Sequence, residues 1–387
     1  MSEHLTDARE THRPISSGKQ PVQSPPRLSW IHVLWPILLS LTVLLVIGHF
    51  TFEPSEFLEI LPQINPWLMA AAVGTVVTRI LFGGRRLRFV SHGHLSFMAA
   101  TRGQLAWDFA SNMTPSLVGG APLAAFYIAR DSQGSINGPI TVGEVTAWML
   151  FVMLLDQIWF ALCVPFVLIS TLFTETIPSG LGNVGFWTSI IYFVGFMIWT
   201  VSFAYATLFR PELLQKLVDL VCRIKGLRRF RERASEEMAR YRERAHLLRS
   251  QPLRFYLHGF FLTMGTWLSR YFLLILLVWS IVPNLDIYLA TSRTIGMTLG
   301  SLVMPTPGGA GGIEGLFMLF ISPFLVKSTV VPTLLLWRIL AYYIFLGLGV
   351  VVTTHTVRKN MRHRKMLNGT VPVEAKLPSR TPDTIES

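Results

Sequence analysis

Gly300-Ser-Leu-Val-Met-Pro-Thr-Pro-Gly-Gly-Ala-Gly-Gly-Ile-Glu-Gly-Leu-Phe317 decides how the rest of the chain is read. Apolar sequence flanks it on both sides. Pro305 and Pro307 cannot continue a helix, because each lacks an N–H and its ring clashes with the preceding turn. Gly308, Gly309, Gly311 and Gly312 follow at once and let the backbone take positive φ. Hydrocarbon cannot satisfy the peptide groups that such a break frees, so the break must be buried in protein or line a wet cavity. Glu314 then places a carboxylate at membrane depth, where an ionisable side chain is a functional-site candidate by default.

The composition fits that setting. Of 387 residues, 51% are hydrophobic and 14% charged, and apolar runs of membrane-spanning length recur. An all-α polytopic membrane protein is expected. The formal charge of +12 sits mostly in tails and loops. That distribution suits anionic lipid on a cytoplasmic face and does not suit nucleic acid. Cys163 and Cys222 have no metal-ligand spacing, and no disulfide is expected between an apolar span and a basic segment.

Charge asymmetry sets the topology. Residues 1–29 are polar and Pro/Ser-rich and are expected to be a disordered cytoplasmic tail. Residues 31–50 span. The loop 51–65 carries Glu53, Glu56 and Glu59 with no Lys or Arg and lies outside; 66–82 returns to a basic cytoplasmic loop with Arg85, Arg86 and Arg88. Residues 97–129 break at Thr114-Pro-Ser-Leu-Val-Gly-Gly-Ala-Pro122. They are expected to form a re-entrant hairpin of two half-helices, a single kinked span being the alternative.

Residues 141–173 and 186–209 are two spans joined by an outer loop, 174–185. Residues 210–252 are Arg-rich with helical apolar spacing (Leu213, Leu217, Leu220, Ile224, Leu227, then Ala234, Met238, Tyr241, Ala245, Leu248). They are read as basic amphipathic helices on the membrane surface, either an anionic-lipid contact or a plain connector. Residues 253–282 span outward, and 332–357 span back to a basic cytoplasmic tail, 358–387. Both obey the charge rule only if 287–326, which holds the quoted stretch, enters and leaves from outside.

The expected domain, 30–357, therefore has about six full spans and two oppositely oriented re-entrant hairpins. Such inverted pairs of broken helices build the substrate sites of secondary transporters near the bilayer midplane. The two breaks share Gly-Gly-Ala after a Pro, in 115–122 and 305–312.

In each hairpin the glycines precede a new half-helix, whose N-terminus offers unpaired N–H groups and the positive end of a dipole. Two such ends on one cavity would bind a phosphate. Gly119, Gly120, Pro305, Pro307, Gly308, Gly309 and Gly311 would shape it. An unpaired charge at the centre of a spanning helix costs a few kcal/mol, so pairing is expected: Glu314 with Arg338 or Arg293, and Asp156 with Arg130 or Arg102. Arg79, Arg130 and Arg270 are expected to snorkel to an interface. The tryptophans and Tyr342-Tyr343 are expected at interfaces or facing lipid.

No catalytic Ser/His/Asp set, His-Glu-x-x-His or Cys-x-x-Cys occurs, and the Gly-Gly pairs lack the Lys-Ser/Thr of a nucleotide loop. No catalytic residue, metal or cofactor is expected.

Ser111-Asn-Met-Thr-Pro115 with Gly119-Gly120, Asp156, Pro305-Thr-Pro-Gly-Gly-Ala-Gly-Gly-Ile-Glu314 and Trp337-Arg338 occur in that order. Together they resemble the flippase-like membrane domain of the bacterial lysylphosphatidylglycerol synthase/flippase family, over roughly 30–357. The resemblance implies lipid translocation in a bacterial cytoplasmic membrane, with Glu314, Arg338, Asp156 and the Gly119-Gly120 pair near the lipid path. Bifunctional members add a soluble aminoacyl-transferase domain after the membrane part. Here residues 358–387 follow, so synthesis of lysyl-lipid is not expected.

The leading expectation is a transporter of an anionic or aminoacylated phospholipid, or of a polyprenyl-phosphate lipid. Arg338 or Arg293 would contact the phosphate, and Glu314 would hold the arginine or meet a substrate amine. The alternatives are a membrane enzyme acting on a polyprenyl-phosphate lipid, with Glu314 or Asp156 as base, and a non-transporting envelope scaffold. A homo-oligomer stays open.

Overall fold

The computed structural model describes residues 30–114, 120–131, 140–178, 182–210, 212, 216, 231–304 and 306–355. The tails, and the apolar positions of 213–227, lie outside the described residues. Among the described residues all regular structure is helical: α1 (Trp30–Thr51), α2 (Pro54–Ile60), α3 (Pro66–Val90), α4 (Phe97–Met113), α5 (Ala121–Asp131), α6 (Val142–Ser170), α7 (Gly182–Ala204), α8 (Arg231–Arg249), α9 (Leu253–Ile281), α10 (Ile287–Ser301), α11 (Gly312–Phe320) and α12 (Lys327–His355).

The starts follow from local chemistry. Asn65 accepts hydrogen bonds from the Trp67 and Leu68 amides ahead of Pro66, and Ser96 accepts from the Ala99 amide. Thr141 and Glu144 cap α6 reciprocally, and Asp286 accepts from the Leu289 amide. Each satisfies a donor that a helix start would otherwise leave open.

Among the described residues, five helices are long and apolar enough to cross a bilayer: α3, α6, α7 with its extension to Thr207, α9 and α12. The pair Ile37–Phe50 and Pro54–Gln63, bent by 92°, makes a sixth candidate. The chain is an all-α, multi-pass membrane protein. By contrast α4, α5, α10 and α11 have 17, 11, 15 and 9 residues, below the roughly 20 that a full crossing takes.

These short helices form two hairpins. At the base of the first, Arg102 on α4 pairs with Asp131 on α5. In the second, Gly296 and Gly300 on α10 face Phe320 and Leu316 on α11. The first starts and ends beside the C-terminus of α3 and the N-terminus of α6. The second starts and ends at the opposite end of the bundle, where Thr176 meets Ser292 on α10. Their tips meet: α4 packs on the Pro307–Gly309 turn. The longest packing seam is that of antiparallel α3 and α9. It runs from the Phe89–Phe255 stack at one end to the bond from the Asn65 amide to the Ser280 carbonyl at the other.

Two expectations need correction. The basic loop 83–96 is helix as far as Val90, because Gly83 and Gly84 let α3 close onto Gln104 and Thr101 of α4 and nothing breaks the turn. Arg85 and Arg88 are exposed there, whereas Arg86 is buried. The apolar stripe of α8 is not spent on lipid. Met238, Tyr241, Ala245 and Leu248 share a core with Val145, Trp148, Met149 and Val152 of α6. Full burial of such side chains stabilises by about 1.5–3 kcal/mol each. Arg244 adds a fork onto the Glu144 carboxylate, with its Nε at 2.8 Å. Protein therefore outcompetes the membrane surface for this face.

Candidate functional site

A cavity of about 270 Å³ lies where the hairpin tips meet α3, α6, α9 and α12. Arg79 and Arg86 both reach its wall because seven residues are two turns of α3, which puts them on one face. Arg86 Nη1 donates to Asp156 Oδ1 of α6 at 2.5 Å, and the Trp267 indole N–H of α9 donates to the same oxygen at 2.8 Å. Asp108 on α4 faces two guanidiniums, Arg79 at 3.6 Å and Arg270 at 3.4 Å. Arg79 also lies 3.5 Å over the Phe345 ring and donates to the Ala341 carbonyl. That carbonyl belongs to the π-helical turn Ile339–Tyr343 that directly follows Arg338. A π turn of this kind widens the helix and recurs at functional sites.

Arg338 is held from behind. Its Nε and Nη2 donate to Glu314 Oε1 at 2.8 and 2.6 Å. Glu314 is wholly buried and also accepts from the Ser40 hydroxyl at 2.6 Å and from the Gly311 amide at 2.8 Å. The Tyr343 hydroxyl in turn donates to Ser40. Such a carboxylate is satisfied on both oxygens, which is the condition for keeping a charge inside protein. Arg338 Nη1 donates to the Gly308 carbonyl at 3.2 Å, tying the arginine to the broken segment. Gly308 and Gly311 have φ of +59° and +85°, which a residue with a Cβ adopts only under strain.

The expected residues separate into those at the cavity and those away from it. Asp156, Gly308, Gly309 and Arg338 line it. Glu314 stands behind Arg338, not in the wall, so it has no surface for a substrate amine. Gly311 and Pro307 shape the break without lining the cavity. Gly120 packs against the α4 backbone at Ala110 and Ser111. Pro305 and Gly119 lie outside the described residues. Arg130 lies over the Phe126 ring on α5, away from the cavity. Arg293 donates twice to the Glu175 carbonyl and lies over Phe324, so of the two arginines expected for Glu314 it is Arg338 that pairs with it.

Other expectations are corrected. Asp156 pairs with Arg86, because Arg102 is taken by Asp131 and Arg130 lies on another face. Arg79 and Arg270 do not snorkel outward; the Asp108 carboxylate holds them inside. Trp107 and Trp267 are buried on the cavity wall and do not sit in a lipid-facing belt. The α11 N-terminus is not free for an anion, since Glu314 already takes the Gly311 amide. The positive character of the cavity comes from side chains: four guanidiniums (Arg79, Arg86, Arg270, Arg338) against three carboxylates (Asp108, Asp156, Glu314), a surplus of one. Among the described residues no group of three or more His, Cys, Asp or Glu is placed to hold a metal ion.

Sequence reasoning missed Arg86 as a cavity residue and did not bring Asp108 together with Arg79 and Arg270. The signal was present: Arg79 and Arg86 keep helical phase, and Asp108 lies four residues from Gln104, which also lines the cavity.

A family model described as the lysylphosphatidylglycerol synthase TM region matches residues 34–349. A relative described as a UPF0104 membrane protein, from Archaeoglobus fulgidus, is 24% identical over 338 residues, covering 84% of this chain and 97% of its own length.

Proposed function

Because the chain belongs to the family of the lysylphosphatidylglycerol synthase TM region, we propose that it moves a phosphate-bearing lipid between the leaflets of the membrane it spans. The observation that carries this is the cavity-lining cluster of buried Arg79, Arg86 and Arg338 with partly exposed Arg270, at the meeting point of two hairpin tips. A positive surplus inside a bundle of spanning helices is costly without an anionic occupant, and guanidinium forks fit phosphate oxygens. The headgroup would enter the cavity while the acyl or prenyl tails stay in lipid.

The hairpins are then re-entrant, one from each side, in the manner of transporters with inverted repeats. The exposed Arg85 and Arg88, together with the basic α8, support reading that end as the cytoplasmic one. Glu53, Glu56 and Glu59 lie at the other. The outward arginines of α8 would still meet anionic headgroups, though its apolar face is covered.

A group-transfer enzyme finds less support. Asp156 and Asp108 are each held by guanidinium groups, and Glu314 is enclosed.

Leaflet-resolved lipid movement in liposomes reconstituted with the full chain tests the proposal. Wild type is expected to move a tail-labelled anionic phospholipid or a short polyprenyl phosphate. Arg86→Gln, which keeps the Trp267–Asp156 bond, is expected to be at least about tenfold slower, the loss of one charge-assisted hydrogen bond. Equal rates for the two proteins, or no movement by folded wild type, would overturn it.

A further inference from the structure

We infer that the lipid this cavity accepts carries a phosphate ester with hydroxyl or other acceptor groups and no ammonium, so that aminoacylated and ethanolamine headgroups are excluded. This rests on the transport reading of the same cavity and narrows it.

Two independent observations lead there. The first is charge. Every carboxylate at the site is already engaged: Asp156 by Arg86, Glu314 by Arg338, and Asp108 by both Arg79 and Arg270. A substrate ammonium would find no free anion and would face the surplus guanidinium charge. A phosphate monoanion matches the surplus of one.

The second is hydrogen-bond inventory. Among the described residues, five side-chain atoms of residues that line the cavity are enclosed without a hydrogen-bond partner: the Nε of Arg79, Arg86 and Arg270, the Tyr342 hydroxyl and the Gln104 Oε1. Three of these five can only donate, the hydroxyl can do either, and one can only accept. Arg79, Arg86 and Tyr342 are at least nine-tenths buried, so water does not readily supply what they lack. The phosphate oxygens of the headgroup supply acceptors, and hydroxyls can add more; an added ammonium brings only further donors to a site already rich in them.

The test is binding to the detergent-purified full chain, with four probes: dihexanoyl phosphatidylglycerol, its lysyl ester, dihexanoyl phosphatidylethanolamine and inorganic phosphate. Phosphatidylglycerol is expected to bind at least tenfold more tightly than either ammonium-bearing lipid. Inorganic phosphate is expected to displace it only in large excess, which assigns the site to a lipid headgroup and not to the free ion. Arg270 is the most exposed of the four arginines, at 33% for its side chain. Arg270→Glu turns the surplus of one positive charge into one negative and is expected to invert the preference; Arg270→Gln is expected to erase it.

Equal or tighter binding of the lysyl ester by wild type overturns the inference, as does an unchanged order in folded Arg270→Glu and Arg270→Gln. The two layers fail separately. Selective binding in a protein that moves no lipid overturns transport and leaves the headgroup class standing. Liposome transport of all three lipids at one rate overturns the headgroup class and leaves transport standing.

Discussion

Arg338→Ala is expected to lower stability by about 3–5 kcal/mol, the cost of leaving a buried carboxylate without its counter-ion. Glu314 has no exposed surface and no route to water. With Arg338 gone it keeps only the Ser40 hydroxyl and the Gly311 amide. Glu314→Gln is expected to be destabilising as well, since Arg338 then keeps the Gly308 carbonyl and one neutral amide oxygen. The double variant Glu314→Gln with Arg338→Met removes both charges. Replacing a buried pair by uncharged groups of similar volume is often near neutral, so it should regain most of the loss while failing to move lipid. Unfolding midpoints in detergent for wild type, Glu314→Gln, Arg338→Met and the double variant give the coupling directly. If Arg338→Ala melts with the wild type, Glu314 is not an anion held in place by that arginine.

Gly120→Val is expected to prevent the hairpin tips from closing and to abolish the monodisperse folded protein. A Cβ at this position would lie 2.6 Å from the Ala110 carbonyl carbon and the Ser111 Cα, both backbone atoms of α4. Neither can rotate away as a side-chain end would, so α4 and α5 must separate. Overpacking typically costs 1–3 kcal/mol, occasionally more, and here it falls on the hairpin that carries Asp108. Gly311→Ala makes the comparison. Its φ of +85° is strained for alanine, but nothing lies within 4 Å of the new Cβ. The strain alone is about 1–3 kcal/mol, and the protein should still fold. Size-exclusion profiles of the detergent-extracted variants check both. A folded Gly120→Val would show that the tip contact is dispensable.

How much of this was legible in sequence depended on which signals are local. Apolar length and Lys/Arg asymmetry are properties of single segments, so the spans and the two breaks could be located before any contact was known. The Glu314–Arg338 pair was among the candidates because only a few charges lie at depth in that half. Asp156 was located but misassigned. Its partner, Arg86, sits in a run of arginines that the charge rule reads as a loop, and helical phase competes there with a topological rule. The buried side of α8 was hidden for another reason. A basic amphipathic helix looks the same whether its apolar face meets lipid or α6, and Gly143, where a Cβ would strike the Glu237 carbonyl, hints at the second only once the fold is known. Charge balance in the cavity is a sum over α3, α4, α6, α9, α11 and α12, and no one segment carries it.

The sharing of Asp108 between Arg79 and Arg270 has a thermodynamic consequence. It joins α3, α4 and α9 through one carboxylate, at distances of 3.6 and 3.4 Å that leave both guanidiniums with bonding capacity to spare. An anion seated beside them would act as a second rivet across the same three helices. Linkage then requires that occupancy raise the free energy of unfolding by RT ln(1 + [L]/Kd), about 2.7 kcal/mol at a hundredfold excess over Kd. The resting bundle is therefore the looser form. On the transport proposed here, the energy that holds the cargo would be the same energy that tightens the helices around it, and release at the far side would have to loosen them again by the same amount.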